Sequence, residues 1–182
     1  NVVAKHLWAS LNGKTADNET EYNRLLFDGF AESYEQTLQN IGYAVVNKIA
    51  EIAPNLTGKI LDLGCGTGLA GAKLKVSANT FYGIDLSAAM LEKAQAKNVY
   101  QTLEQADALT YLQQHKNEFS AIIAADVFCY FGDLQPLLNA ANPAPIIFSI
   151  EIDLQAENYK IQPNGRYKHN PQYVENLLKQ TG

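Results

Sequence analysis

The sequence predicts an α/β fold in which an open parallel sheet is covered by helices on both faces. Short apolar runs alternate with helical stretches from residue 59 to residue 151, which is the pattern of parallel strands joined by crossover helices. Glycines and polar side chains directly follow several of these runs, where ligands bind in open parallel sheets. A chain of 182 residues also suits one domain with a single sizeable core.

Five apolar runs have the composition of buried strands, and each is followed by a turn signal or a helical segment. Ser87 precedes one of these helical segments and is able to cap it. The predicted strands are Lys59–Leu63, Thr80–Asp85, Val99–Leu103, Phe119–Ala125 and Pro145–Glu151. The helices that follow them are predicted at Leu69–Val76, Ala88–Lys97, Leu109–His115, Asp133–Ala141 and Pro171–Gln180.

A helical segment precedes the first strand and is predicted to form an N-terminal lid. Its apolar residues recur at steps of three and four, which indicates one buried helical face, and Gly42 is expected to divide it into two helices. Residues 1–20 are polar and weakly patterned, so we assign them to a linker or the remnant of an upstream region, and the domain to residues 21–182. The predicted buried face comprises Tyr22, Leu26, Phe30, Tyr34, Leu38, Ile41, Val45, Ile49 and Ile52.

Charge and composition argue against several classes of partner. The net charge is −5 and the 14 basic residues are scattered, whereas phosphate backbones are bound by clustered Lys and Arg. We therefore expect no nucleic-acid partner. The two cysteines and three histidines lack metal-ligand spacing, so we expect no metal, and we expect His6 and His115 at the surface. The longest apolar stretch, Ala121–Phe131, contains Asp126 and is too short to cross a bilayer.

The first residues bear on localisation and on completeness. The stretch Asn1–His6 lacks a signal-peptide pattern, so we expect a cytoplasmic protein without a membrane segment. The first residue is not Met, which favours a fragment of a longer chain.

The turn after the first strand, Asp62–Gly68, is rich in glycine and is the first candidate binding site. Glycines tolerate positive φ and let a ligand lie against the backbone. A G-x-G-x-x-G register at Gly66–Gly71 is typical of dinucleotide binding, but a carboxylate at Asp62 would oppose a pyrophosphate. Asp62 suits a cationic ligand instead, such as the ammonium and sulfonium groups of S-adenosylmethionine (SAM). Alternatively, Asp62 only caps the turn.

Two further carboxylates follow the next two predicted strands. Asp85 ends the second strand, where an acid accepts hydrogen bonds from both ribose hydroxyls in SAM as in NAD. It therefore supports a nucleoside cofactor without choosing between the two. Asp107 lies beyond the third strand and could receive the adenine amino group, although taken alone it is a helix cap.

The segments around these residues resemble two motifs of class I SAM-dependent methyltransferases, which have a Rossmann-like, doubly wound sheet. Ile60–Gly68 is similar to the first motif and Gly83–Leu91 to the second, and the likeness spans residues 22–182. The resemblance implies SAM as the cofactor, with Asp85 on the ribose, Leu86 and Met90 beside adenine, and Asp107 and Ala108 at its edge. The other cofactor contacts that we predict are Tyr34, Asp62, Gly64, Cys65, Gly66, Gly68 and Asp126.

Three segments resemble, more narrowly, predicted bacterial methyltransferases that carry tetratricopeptide repeats ahead of the catalytic domain. They are Leu26–Glu35, Ala124–Leu134 and Gly165–His169. The resemblance implies an upstream repeat region that would bind a peptide partner. Related methyltransferases continue with two strands after the fifth, so we expect the C-terminal strands to be missing beyond Gly182.

Candidate catalytic residues are few, because methyl transfer from SAM needs mainly alignment of the acceptor with the methyl–sulfur bond. Asp126 would orient the methionine part or a substrate hydroxyl, or it caps the next loop. His169 is the candidate general base, since histidine titrates near neutrality, or it is a solvated loop residue. Tyr34 would reach the cofactor as part of the lid, or only pack in its helix. The predicted substrate-binding residues are Phe128, Tyr130, Arg166, Tyr167 and His169, with the aromatic cluster after the fourth strand alternatively part of the core.

We therefore expect an enzyme that transfers a methyl group from SAM to a small-molecule or carrier-bound acceptor by in-line displacement. The alternatives are an NAD(P)-dependent oxidoreductase, which the second glycine register supports, and a SAM-binding or scaffold module without activity. Methylation of a protein would be favoured if an upstream region recruits a partner.

Overall fold

The central sheet of the computed structural model, which describes residues 1–53, 56–74 and 80–181, is parallel throughout. Its strand order is β3-β2-β1-β4-β5. This arrangement, with helices on both sides, confirms the predicted Rossmann-like α/β fold. The strands are Ile60–Leu63 (β1), Phe81–Asp85 (β2), Thr102–Gln105 (β3), Ala121–Ala124 (β4) and Ile146–Phe148 (β5).

The two central strands, β1 and β4, are buried on both faces, as their apolar sequences require. Successive side chains of a strand point to opposite faces, so Leu61 and Leu63 join one hydrophobic cluster while Ile60 joins the other. Each fully buried Leu or Ile contributes roughly 1.5–3 kcal/mol. The first cluster receives side chains from Ala108–Gln114 (α7), Gln135–Ala141 (α8) and Pro171–Thr181 (α9), and the second from Val45–Ile52 (α4) and Leu69–Leu74 (α5).

The third strand lies a few residues later than the sequence predicts. Tyr100 stacks on Phe81 of β2, with ring centroids 4.9 Å apart. The Tyr100 ring therefore packs against the sheet two residues before β3 begins. Pairing with β2 starts at Thr102. The helix predicted at Leu69–Val76 runs as α5 to Leu74, and its last two residues lie outside the described ranges.

The N-terminal segment forms more helices than expected. In place of two helices divided at Gly42, the chain has Glu19–Phe30 (α2), Tyr34–Asn40 (α3) and α4, with an additional break at residues 31–33. Each break resets the helical phase, so the predicted single face does not continue through it. Ile41 and Ile52, which were predicted on that face, are both 69% exposed.

Residues 2–11 form a helix (α1, Val2–Leu11), which begins after Asn1, whose side chain accepts hydrogen bonds from Val3 and Ala4. The His6 ring stacks on Tyr22 of α2 at 3.8 Å between centroids, and His6 is 1% exposed. The expectation that His6 lies at the surface is therefore wrong, because an aromatic ring of α2 covers it. The domain boundary at residue 21 stays a prediction.

The chain after β5 forms a second, small sheet that the sequence did not indicate. The predicted strand Pro145–Glu151 is divided: β5 ends at Phe148, and Glu151–Ile152 (β6) pairs with Tyr167–His169 (β8), which also pairs with Tyr159–Ile161 (β7). After β8 the chain continues as α9, which packs on α8. The two strands expected beyond Gly182 stay a prediction. In the described parts of the chain, none of the helices has the length and apolar character that a bilayer span requires.

Candidate functional site

A cleft of about 650 Å³, open at its mouth, lies at the carboxyl ends of β1, β2 and β4 beneath α2 and α3. A smaller pocket of about 310 Å³ adjoins it. Tyr34, Gly64 and Gly66 line both, so the two spaces meet over the glycine-rich turn. The sequence predicts polar side chains at this edge of the sheet, and Asp62, Asp85 and Asp126 line the two pockets there.

Two glycines of the turn have backbone conformations that other residues rarely adopt. Gly64 has φ +67° and Gly66 has φ +53°. A Cβ on Gly64 would lie 2.6 Å from Val127 Cγ2, so this residue lets the turn pass close to the end of β4. A Cβ on Gly66 would project towards Tyr34, 3.8 Å from its ring. At Gly66 the missing side chain therefore leaves the floor of the cleft open.

Asp85 forms the wall of the cleft beside this turn. Its Oδ2 accepts a hydrogen bond from the Gly66 backbone N–H at 2.8 Å, and its Oδ1 accepts one from the Ser87 N–H at 2.8 Å. Burial raises the pKa of this carboxyl, and the two N–H groups partly oppose that rise. These bonds hold the carboxylate in one orientation, as a fixed acceptor facing the cleft.

Asp62 lies at the smaller pocket, where the sequence places a negative charge. It is 1% exposed, and its Oδ2 accepts a hydrogen bond from the Tyr100 hydroxyl at 2.6 Å. Burial raises the pKa of Asp62 to about 7. The hydrogen bond from Tyr100 acts to lower this pKa, and the nearby Asp85 carboxylate acts to raise it. The pocket is therefore poised to gain a negative charge near neutral pH. Cys65 also lines it, with a buried thiol whose pKa burial raises.

The opposite end of the large cleft is apolar. Leu86, Met90 and Ala108 line it, as the resemblance implies, together with Ala106. The Asp107 side chain caps α7 through the Thr110 N–H at 2.9 Å and is not part of the lining. Among the described residues, the side-chain hydrogen bond of Asp107 is therefore that of a helix cap.

The end of the cleft beside β4 contains a bonded cluster centred on Arg166. Its guanidinium donates to Asp126 Oδ1 at 2.7 Å, to the Tyr130 hydroxyl at 2.7 Å and to Glu151. Asp126 has φ +61°, in the left-handed region that non-glycine residues rarely adopt. Asp126 and Tyr130 line the cleft, whereas Arg166 does not. Arg166 thus lies outside the cleft lining and fixes the positions of Asp126 and Tyr130 by hydrogen bonds.

Four other predicted site residues lie away from both pockets. Phe128 is fully buried and stacks on Phe148 at 4.5 Å, Tyr167 bonds Glu19 and Thr15, and Gly68 packs against Tyr100 and α6 (Ala88–Ala96). His169 is 0% exposed, with Nε2 3.0 Å from two backbone carbonyls. Burial lowers the pKa of His169. The structure therefore does not place His169 where it would take a proton from an acceptor.

The structure adds site residues that sequence reasoning missed. Asn23 and Phe27 line the large cleft, and Tyr43 lines the smaller pocket. Asn23 and Phe27 are four residues apart on α2 and so share one face of that helix, which is a signal present in the sequence. Tyr100 gave no such signal, because its contact with Asp62 joins β1 to the segment ahead of β3.

The lid is bonded to the body of the domain near the glycine-rich turn. Lys97 Nζ donates to Glu35 Oε1 of α3 at 2.6 Å and to the Thr67 carbonyl at 2.7 Å. Lys93 pairs with Glu32 at 2.7 Å. Among the residues that the structure describes, no group of three or more His, Cys, Asp or Glu side chains has a metal-binding arrangement.

Comparison with known proteins agrees with this geometry. Residues 60–143 match a family described as a methyltransferase domain. The chain is 32% identical over 96 residues to YqeM of Bacillus subtilis, a protein described as a candidate methyltransferase, covering 53% of this chain and 37% of that one. It is 33% identical over 84 residues to Methyltransferase-like protein 27 of Homo sapiens, covering 42% and 34%. The matches thus span well under half the length of these two relatives.

Solved structures are similar over most of the chain. The DhpI complex with S-adenosylhomocysteine (SAH) has a TM-score of 0.70 at 18% identity, covering 92% of this chain and 89% of that chain. A SAM-dependent methyltransferase from Thermotoga maritima has a TM-score of 0.64 at 16% identity, covering 87% and 80%. At these identities the similarity establishes the fold.

Proposed function

We propose that this protein transfers a methyl group from SAM to a small-molecule or carrier-bound acceptor. Residues 60–143 match a methyltransferase domain, and a solved structure of similar fold contains SAH. The observation that carries the proposal is the grouping of Asp62, Gly66 and Asp85 around two joined pockets. Bound SAM would supply an electrophilic methyl group on a sulfonium.

The residues present fit this cofactor at three places. The fixed carboxylate of Asp85 would accept hydrogen bonds from ribose hydroxyls, and the apolar wall of Leu86 and Met90 would pack against adenine. Gly66 leaves room for the cofactor to lie against the backbone. The buried carboxyl of Asp62, at the smaller pocket, would stabilise the positively charged amino group.

The oxidoreductase alternative has less support from the site. A pyrophosphate over the turn would face Asp62 and Asp85, and both would oppose its charge. Gly71, the last glycine of the dinucleotide register, packs against Val99 and Tyr100 rather than at the cleft.

The residues at the β4 end would act mainly by positioning. Asp126 and Tyr130 are held by Arg166, and Tyr34 spans the junction of the two pockets. Alignment of an acceptor with the methyl–sulfur bond contributes on the order of 7–11 kcal/mol to such reactions, so a buried His169 is not required. A peptide partner, an upstream repeat region and a cytoplasmic location remain proposals.

Calorimetry with SAH and NADH side by side tests the cofactor. Saturable SAH binding without NADH binding supports the proposal, and the reverse result contradicts it. A screen with methyl-labelled SAM over metabolites, carrier-bound compounds and peptides tests the activity. Transfer of label to any acceptor excludes the inactive scaffold, whereas SAH binding with no transfer favours it.

A further inference from the structure

The β4 end of the cleft differs in character from the apolar end, and the sheet order explains why. In the order β3-β2-β1-β4-β5, the turns after β2 and β4 lie on opposite sides of β1. Leu86 follows β2, whereas Asp126 and Tyr130 follow β4. If the proposed function holds, with adenosine on the β2 side, the methyl acceptor enters on the β4 side. Its chemistry should therefore match the residues there.

Aromatic rings and one carboxylate dominate this end. Phe27 of the lid meets the Tyr130 ring edge-on, with centroids 5.2 Å apart, and Phe131 lies beside them in the lining. Asp126 contributes a carboxylate. Aromatic faces attract cations and pack well against planar groups.

Positive charge is missing from the same walls. Among the described residues that line the cleft and the smaller pocket there is no Lys, Arg or His, whereas Asp62, Asp85 and Asp126 all line one or the other. Arg166 lies behind the wall, and its guanidinium is engaged by Asp126, Glu151 and Tyr130. A carboxylate or phosphate near the reacting atom would therefore find carboxylates and no cation, whereas an amine would find favourable partners.

Asn23 supplies a polar group that the described part of the protein does not use. It is 7% exposed and lines the cleft one helical turn before Phe27, and its buried Oδ1 has no hydrogen-bond partner among the described residues. Buried polar atoms are rarely left unpaired in proteins. The terminal torsion of an asparagine is broad, so the amide can turn its oxygen towards a ligand N–H.

We propose that the acceptor is an amine attached to an aromatic or apolar group, with Asn23 and Asp126 binding its nitrogen and Phe27 and Tyr130 packing on its apolar part. The nitrogen binds as an ammonium and loses one proton to the Asp126 carboxylate, from which it passes to solvent. The nitrogen lone pair then forms the new bond to the methyl carbon as the sulfur–carbon bond breaks. The electron pair of that bond stays on sulfur, which leaves neutral SAH and a methylated ammonium.

Three probes of one shape test the charge preference: 2-phenylethylamine, 2-phenylethanol and phenylacetate. Each is titrated into the SAH-saturated protein by calorimetry, and each is offered with methyl-labelled SAM. We expect the amine to bind at least about tenfold more tightly than the alcohol, phenylacetate not to bind, and label to appear on the amine. Phenylacetate or the alcohol binding as tightly as the amine would overturn the proposal, and so would binding of none of the three.

Two variants of Asn23 test the contact. Asn23→Leu should weaken amine binding about tenfold, and Asn23→Asp, which adds a charge of the expected sign, should strengthen it several-fold. A far-ultraviolet circular dichroism spectrum and a urea-unfolding midpoint close to those of the parent protein show that both variants are folded. Equal amine affinity in all three proteins would contradict the role of Asn23. If the parent protein does not bind SAH, the proposed function is refuted. This outcome is distinguishable from SAH binding with no amine preference, which would contradict only the acceptor proposal.

Discussion

The buried carboxyl group of Asp62 is expected to make the affinity for the cofactor sensitive to pH. Its pKa lies at about 7 because the group is buried, so it is largely neutral at pH 6 and largely ionised at pH 8. The ionised form is the one that attracts an ammonium group. Cofactor affinity should therefore rise as the pH increases through 7.

We predict that SAH binds several-fold more tightly at pH 7.5 than at pH 6, as measured by calorimetry. Asp62→Asn should bind more weakly at pH 7.5 and show little pH dependence, since its amide does not titrate. An unchanged pH profile in the variant would show that another group is responsible.

Arg166 is the residue on which the β4 wall depends, because one guanidinium bonds three groups from two segments of the chain. Arg166→Met would leave the carboxylates of Asp126 and Glu151 without their partner, and both are partly buried. Unpairing a buried charge typically costs 3–5 kcal/mol, and partial exposure reduces this to about 2 kcal/mol. Urea unfolding should show that loss. Arg166→Lys should recover only part of it, because an ammonium does not reproduce the planar fork.

At the scale of elements, the glycine-rich turn is the feature most dependent on a missing side chain. Gly66→Ala would place a methyl group in the cleft facing Tyr34 and in a left-handed conformation. We predict more than tenfold weaker SAH binding, with a stability loss of only about 1–2 kcal/mol from the backbone. Gly13→Ala is the matched control, since Gly13 also has positive φ but no described residue lies within 4 Å of the added Cβ. Equal loss of SAH binding in both variants would contradict a specific role for Gly66.

The lid is a second element whose attachment can be tested. Lys97 is the side chain that bonds both α3 and the glycine-rich turn, so Lys97→Met should loosen the lid and lower cofactor affinity several-fold. The pair itself is partly exposed and contributes no more than about 1 kcal/mol to stability. Amide hydrogen exchange should be faster in α3 of the variant. Lys48→Met, which removes an exposed pair in α4, is the control and should leave both quantities unchanged.

For the whole molecule, the same carboxyl of Asp62 sets a component of stability. An acid whose pKa is raised in the folded state binds more protons there than in the unfolded chain, so it favours folding most at low pH. That contribution falls as the pH rises from its unfolded value of about 4 towards 7. The unfolding free energy of the parent protein relative to Asp62→Asn should therefore decline by roughly 2–3 kcal/mol between pH 5 and pH 8. A difference that is constant with pH would contradict the buried-acid account.

The sequence predicted those parts of the fold and of the candidate site that depend on patterns between neighbouring residues. The strands, the glycine-rich turn and the position of Asp85 follow from patterns within about ten residues, and the structure contains them. Phe128 and Tyr130 are only two residues apart, yet Phe128 is in the core and Tyr130 lines the cleft. Both belong to a short 3-10 helix, which points their side chains in different directions. The contacts of Arg166 with Asp126 and of Tyr100 with Asp62 join segments that are distant in the chain, so no pattern within one stretch of sequence predicts them.

The stacking of His6 on Tyr22 has a practical meaning for anyone expressing this domain. A version trimmed to begin at residue 21 would lack α1 and uncover the Tyr22 ring, which α1 now shields together with the bend at Gly165. The same cut would remove Thr15 and Glu19, both partners of the Tyr167 hydroxyl. Shortened versions should therefore keep the first helix if they are to remain folded and unaggregated.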